Sequence, residues 1–187
     1  MKLLAPAVAA VLSFTLHAHA QTALKAGDVK LGKVQPAMVK TPEFSLSSGP
    51  QKRSKPADWL EIEIEYETKP EDIDELTFTY TIMIEKKLLF GQVTHINIPK
   101  GRDHYSVMYV SPRSLTKLTG GRALTASSIE NVWVNVERQG QKLDQPSAHK
   151  PGPIPNAALI QGLVLNKDET PFAPLFYDRY EAIKKTR

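Results

Sequence analysis

Residues 59–67 read WLEIEIEYE, in which apolar and acidic side chains alternate without a break from Leu60 to Glu67. Because successive side chains of a β-strand point to opposite faces of a sheet, a period of two predicts a strand with one buried face and one acidic face. Residues 76–84, LTFTYTIMI, repeat the alternation with threonines on the second face, which suits a sheet surface. The turn-like sequence KPED lies between them at 69–72. These segments predict a fold built on half-buried strands.

The flanking sequence extends the same fold. Five more strands are predicted, at residues 39–46, 88–98, 104–110, 129–138 and 159–165. Ser111 and Pro112 are typical of a helix start, so residues 111–118 are predicted as a short helix. Residues 145–155 contain four prolines and are predicted as a surface loop, and residues 173–185 as a C-terminal helix. The fold class is mainly β: an immunoglobulin-like antiparallel β-sandwich of about seven strands with a short helix and a C-terminal helix.

The N-terminus has the pattern of a secretory signal peptide. Lys2 precedes an apolar run, and Ala-His-Ala at 18–20 forms a small-x-small cleavage site before Gln21. The apolar run is too short to span a bilayer comfortably, so we expect no transmembrane segment after cleavage and a location in the periplasm or at the outer cell surface. The predicted organisation is a signal peptide (1–20), an N-terminal extension (21–38) and one immunoglobulin-like domain (39–187). Because the chain has no cysteine, its stability depends on burial rather than on disulfides.

Acidic residues are concentrated in one part of the chain. Residues 58–75 contain nine acidic residues and only one basic residue, whereas the formal net charge of the whole chain is +4. That net charge is modest for a nucleic-acid-binding protein, so no nucleic-acid partner is expected. The segregation could orient a protein partner, although a solvated sheet face is the commoner explanation. The candidate partner-binding acidic face consists of Glu61, Glu63, Glu65 and Glu67.

The sequence contains no clear pattern of a catalytic or metal-binding site. His95 and His104 lie on neighbouring predicted strands, but no third metal ligand is evident. The chain has no Gly-x-Ser-x-Gly sequence, and four glutamates in a row do not face each other across a cleft as in glycosidases. We therefore predict no catalytic residue, no metal and no cofactor, while an envelope hydrolase with an unrecognised site stays as an alternative.

Two tryptophans suggest a different alternative. Trp59 and Trp133 lie on the side of their strands opposite the apolar alternation, which permits exposure and contact with glycans. A carbohydrate-binding or adhesive β-sandwich would use such aromatic side chains. Cover by the chain termini is the competing explanation.

Three segments carry a resemblance to a known family. They are residues 58–66 (DWLEIEIEY), 74–80 (DELTFTY) and 171–180 (PFAPLFYDRY). From about residue 41 to residue 185 the chain resembles the Amuc pilus-like protein family of Akkermansia and related Verrucomicrobia. The resemblance implies an exported immunoglobulin-like protein associated with type IV pilus components, and it implies no catalytic residue and no cofactor. The chain departs from type IV pilins, which keep a long N-terminal helix, so an accessory or adhesive role is expected rather than that of a filament subunit.

The expected function is therefore non-enzymatic protein recognition in the cell envelope. The expected partners are protein components of a pilus or envelope assembly, with glycan contact under the adhesive alternative.

Overall fold

The computed structural model describes residues 24–45, 48, 55–69, 71–125, 128–144 and 146–185. The predicted signal peptide (1–20) lies outside these ranges, as do residues 46 and 145 of two other predicted segments. The described ranges form strands and one α-helix: β1 (Val29–Lys40), β2 (Asp58–Thr68), β3 (Ile73–Ile84), β4 (Lys87–Ile98), β5 (Gly101–Val110), α1 (Pro112–Thr119), β6 (Asn131–Arg138), β7 (Gln141–Lys142), β8 (Ser147–Ala148), β9 (Leu159–Ile160) and β10 (Val164–Asn166).

The strands form two sheets that face each other. The first sheet has the order β1-β2-β5-β10, and the second has the order β7-β6-β3-β4-β9 with β8 also paired to β6. Among the residues that the structure describes, the strand pairs are antiparallel except that of β4 with β9. The chain passes from β2 to the other sheet for β3 and β4 and returns to pair β5 with β2, a crossing pattern found in immunoglobulin-like sandwiches. The predicted β-sandwich is confirmed.

The two alternating segments face each other across the core. Ile62 and Ile64 of β2 and Phe78 and Tyr80 of β3 are fully buried, while the residues between them are partly exposed. Burying a large apolar side chain stabilises the fold by about 1.5 to 3 kcal/mol, so these inner faces carry much of its stability. The remaining fully buried side chains of these two strands are Leu60, Tyr66, Leu76, Ile82 and Ile84.

The prediction of the first strand was wrong. We predicted residues 39–46, but β1 spans Val29–Lys40 and pairs with β2 along its length. The register shifts between Leu31 and Val34, and Pro36 lies in the strand, so the period of two is interrupted twice. Residues assigned to an N-terminal extension therefore contribute a paired edge strand, and Leu24 joins the core.

The prediction of a C-terminal helix was also wrong. Residues 170–185 form turns and two isolated β-bridges. Phe176 has a left-handed φ of 52°, which a right-handed helix does not permit in its interior. We call residues 167–185 the C-terminal strap; it begins with a single 3-10 turn (Lys167–Glu169). The predicted last strand divides into β9 in the second sheet and β10 in the first.

The predicted short helix is confirmed. The Ser111 side chain caps α1 by accepting a hydrogen bond from the Ser114 N–H (3.2 Å), and Gly120 ends the helix in the left-handed conformation. Leu115 and Leu118 pack into the core. Within the described ranges, no helix has the length and apolar character required to cross a bilayer.

Gly91 sets the distance between the two sheets at one edge. It pairs with Tyr80 on the inner face of β4, and a Cβ atom at this position would lie 2.6 Å from Cβ of Val164 in β10. We expect Gly91→Ala to lower the free energy of unfolding by about 2 kcal/mol, because overpacking a closed core displaces its neighbours. Urea unfolding measures the change. Gln92→Ala, at the neighbouring exposed position, should change it by less than about 0.5 kcal/mol, and equal effects of the two variants would contradict this explanation.

Candidate partner-binding face of the first sheet

The four predicted glutamates lie on the outer face of the first sheet. Their neighbours on β5 share this face because directly paired residues point the same way: Tyr109 is opposite Glu61, and Tyr105 is opposite Glu65. The other neighbouring strand, β1, contributes Gln35 opposite Glu63. The row of carboxylates therefore lies beside a row of aromatic side chains.

The C-terminal strap crosses this face and then reaches the second sheet. Tyr180 forms a parallel bridge with Tyr105 of β5, and Ile183 forms an antiparallel bridge with His95 of β4. The Lys184 N–H donates to the Thr94 carbonyl (2.8 Å), and the Ile96 N–H donates to the Ala182 carbonyl (2.9 Å). The strap thus ties the outer face of the first sheet to the part of β4 in the second sheet that β9 does not pair with.

Glu63 is the main polar contact between the acidic row and the strap. The Arg179 guanidinium donates two hydrogen bonds to the Glu63 carboxylate, from Nη2 (2.8 Å) and from Nε (3.1 Å), and the Tyr180 hydroxyl donates a third (2.6 Å). The same guanidinium lies 3.6 Å from the centre of the Tyr105 ring. A two-pronged arginine–carboxylate pair that also stacks on an aromatic ring is selective for arginine over lysine.

An aromatic cluster forms the second contact of the strap. Phe172 stacks on Tyr109 with ring centres 4.6 Å apart and meets the edge of Trp59 at 5.7 Å. The Lys167 ammonium donates to the Ala173 carbonyl (2.7 Å) and lies 5.7 Å from the Tyr180 ring. Burial lowers the pKa of Lys167. The strap is therefore held by apolar stacking at one end and by charged hydrogen bonds at the other.

The two glutamates nearest the strap differ in their acidity. Burial raises the pKa of Glu61, and the hydrogen bond from the Tyr109 hydroxyl (2.9 Å) only partly offsets it. Burial acts on Glu63 in the same direction, but the hydrogen bonds from Arg179 and Tyr180 together lower its pKa below the usual range. Split carboxyl pKa values also occur in acid–base catalysis, but here both carboxylates are bound by side chains of the same chain.

Glu65 and Glu67 form the other end of the row. Both are partly exposed, and Glu67 forms an ion pair at 3.8 Å with Arg102, which is itself highly exposed. Such exposed ion pairs contribute little to stability. The predicted acidic face is thus divided: side-chain hydrogen bonds hold Glu61 and Glu63, whereas Glu67 forms an exposed ion pair and Glu65 is partly exposed.

Both candidate adhesive tryptophans are buried. Trp59 is 8% exposed beneath Phe172, and its Nε1 donates to the Thr41 hydroxyl (3.1 Å). Trp133 is 4% exposed, and its Nε1 donates to the Gly152 carbonyl (2.7 Å). A sugar could stack on either indole only after the covering segment had moved.

The two candidate histidine ligands meet at the strap. The Nδ1 atom of His104 lies 2.9 Å from a carboxylate oxygen of Glu181, and the Nδ1 atom of His95 lies 3.1 Å from the Glu181 backbone carbonyl. The other ring nitrogen of His95 lies 3.0 Å from the hydroxyl of buried Ser106. Burial lowers the pKa of His95 to about 4. Across the described ranges, no group of three or more His, Asp and Glu side chains is placed to hold a metal ion.

Comparison with known proteins places the chain in a family. A model of the Akkermansia pilus-like protein family matches residues 20–187. A crystal structure of a protein from Akkermansia muciniphila is similar with a TM-score of 0.71 and 27% identity, over 85% of this chain and 94% of that chain. No curated protein matches the chain. The chain belongs to the Amuc pilus-like protein family of Akkermansia and related Verrucomicrobia.

Proposed function

We propose that this chain is a non-enzymatic, exported envelope protein that binds protein components of a pilus or related assembly. Membership of a pilus-like family supports an envelope location, and the signal-peptide pattern of residues 1–20 supports export. The observation that carries the proposal is the outer face of the first sheet, where Glu61 and Glu65 of β2 lie opposite Tyr109 and Tyr105 of β5.

The strap indicates which chemistry this face accepts. It presents an arginine to a carboxylate, a tyrosine hydroxyl to the same carboxylate, and a phenylalanine to Tyr109 and Trp59. A partner segment rich in basic side chains would find carboxylates of the same kind at Glu65 and Glu67, which are partly exposed. Arginine and tyrosine are also the residues that most often dominate the binding energy of protein interfaces.

The buried pair of Ser106 and His95 supports a structural role for Ser106 rather than a nucleophilic one. Ser106 is fully buried, and the second ring nitrogen of His95 faces a backbone carbonyl instead of a carboxylate. A serine nucleophile must be reached by its substrate, and in a serine triad the imidazole is oriented by an acid. We therefore propose recognition rather than hydrolysis for this chain.

Capture from native cell envelopes tests the proposal. Tagged protein is crosslinked in envelopes, recovered, and its partners are identified by mass spectrometry. We expect pilus or envelope proteins with the wild type and at least about a tenfold loss with the double variant Glu65→Gln and Glu67→Gln, because both charges that face the partner are removed. Glu137→Gln, on the outer face of the second sheet, should leave capture unchanged.

Two results would count against the proposal. Equal capture by wild type and the Glu65/Glu67 variant would remove the acidic face as the binding surface. Recovery of no envelope protein by the wild type would remove the assembly role itself.

A further inference from the structure

The C-terminal strap has two separate points of attachment joined by an exposed turn. The first is Phe172, which is 5% exposed between Trp59 and Tyr109. The second is the segment 179–185, which binds Glu63 and the edge of β4. Residues 174–178 lie between the two attachments and are largely exposed.

The connecting turn is unfavourable in its observed conformation. Phe176 has a φ of 52°, a left-handed conformation that is uncommon for a bulky residue and costs on the order of 1 kcal/mol or more. Its side chain is 59% exposed, and that of Tyr177 is 83% exposed. An extended connection would relieve the backbone strain, and a neighbouring molecule would cover the two aromatic rings.

We propose that segment 179–185 can leave its own sandwich and bind the same site on a second copy of the chain. The inference rests on the proposed function and names one partner of the outer face, namely another copy of this protein. In the exchanged pair, Arg179 and Tyr180 of each copy bind Glu63 of the other copy, and Ile183 and Lys184 pair with the other copy's β4.

Exchange preserves the contacts that hold the segment in place. The hydrogen-bonding partners of segment 179–185 include Glu63, Glu75, Thr94, His95 and His104, all of which belong to the strands of the sandwich and not to the strap. Such an exchange replaces each internal contact by an identical contact between copies, so the cost is mainly that of association.

The length of the turn limits how the two copies can be arranged. Five residues in an extended conformation span about 17 Å, so the outer faces of the two first sheets must lie within about that distance of each other. The exposed Phe176 and Tyr177 would then lie between the copies.

Reversing the charges of Glu63 and Arg179, one at a time and together, provides the test. Glu63→Arg alone and Arg179→Glu alone each place like charges together, both within one copy and between identical copies. When the two variants are mixed, each strap finds a complementary charge only on the other variant. We expect size-exclusion chromatography with light scattering to show about tenfold more dimer in the mixture than in either variant alone.

The double variant Glu63→Arg with Arg179→Glu is the matched control, since it restores opposite charges within one copy. If the mixture stays monomeric while the double variant is folded, the exchange proposal is wrong.

A second measurement, on otherwise wild-type, cysteine-free protein, covers the case in which a single charge variant fails to fold. Copies carrying Glu75→Cys are mixed with copies carrying Lys184→Cys, since these two side chains are in contact, and disulfide-linked dimers are expected on oxidation.

In this second measurement, Lys86→Cys in place of Lys184→Cys is the control for random collision, because Lys86 is exposed on the turn after β3. Dimer yields no higher than this control would also overturn the exchange. These outcomes are independent of envelope capture. If no dimers form but envelope proteins are still captured through Glu65 and Glu67, only the exchange proposal is wrong. If dimers form but no envelope protein is captured, only the proposal of envelope partners is wrong.

Discussion

Replacing Phe172 with alanine should lower the free energy of unfolding by about 3 kcal/mol, at the lower end of the range for truncating a buried phenylalanine. The ring stacks on Tyr109 and covers Trp59, so its removal opens a cavity on the outer face of the first sheet and exposes part of the Trp59 indole. Urea unfolding gives the stability change. Tryptophan emission should shift to longer wavelength as Trp59 meets water.

Phe176→Ala is the matched control for this prediction. It removes the same side chain from the same strap, but at a position that is 59% exposed and carries a left-handed backbone. We expect a change in stability within about 0.5 kcal/mol and no shift in emission. Equal destabilisation by the two variants would mean that Phe172 does not anchor the strap.

The central strands could be predicted because each carries its own signal. In β2 and β3 every second residue is apolar, and the observed buried faces coincide with those residues. Pairing partners need not be known for such a prediction, since a half-buried strand has a period of two wherever it lies in the sheet. The short helix was equally local, because Ser111, Pro112 and Gly120 mark its ends.

The first strand and the strap depend on contacts with distant residues. A bulge and a proline interrupt the alternation of β1, and the structure tolerates both because β1 is an edge strand. Beyond its first 3-10 turn the strap has no helix or strand, and it is held by distant residues such as Glu63, which is 116 residues from Arg179. The spacing of the aromatic side chains in the strap was therefore wrongly interpreted as the period of a helix. The conformation of this segment depends on its tertiary contacts.

The candidate site was predicted in part. The four glutamates do share one outer face, but sequence reasoning did not anticipate that Arg179 and Tyr180 bind one of them. The available signal was the sequence Asp-Arg-Tyr-Glu at 178–181, which follows two prolines and combines a cation with aromatic side chains. Such a segment is chemically complementary to an acidic row. The burial of Trp59 follows from the same strap.

The stability of the sandwich should fall between pH 7 and pH 5 by about 2 kcal/mol through His95 alone. Burial lowers the pKa of His95 from 6.5 to about 4, so within this window the unfolded chain binds a proton that the folded protein does not. The contribution is complete above pH 6.5 and is lost as the pH falls towards 4. The polar groups that bond to the ring are the Ser106 hydroxyl and the Glu181 carbonyl, and the Asp168 carboxylate favours the protonated form less than the Glu181 carbonyl does.

Urea unfolding at pH 7, 6 and 5 measures this contribution, and His95→Gln isolates it. Glutamine can still hydrogen-bond but does not titrate, so the fall in stability from pH 7 to pH 5 should be about 2 kcal/mol smaller in this variant. His149→Gln is the control: it leaves His95 in place, so the fall in stability from pH 7 to pH 5 should still include the contribution of His95. Glu63 does not interfere, because its lowered pKa makes its contribution fade only below pH 4.5, and the raised pKa of Glu61 acts in the opposite direction.

A pH dependence that is the same with and without His95 would mean that the ring is hydrated or charged in the folded protein. The expected result has a consequence for the strap. Because segment 179–185 lies against His95 through the Glu181 carbonyl, opening of this segment would expose the ring to water, where it binds a proton more readily than in the folded protein. Mild acid should therefore loosen segment 179–185 before it unfolds β2 and β3, whose inner faces are apolar. If segment 179–185 exchanges between copies, the same acidification should raise the rate of that exchange.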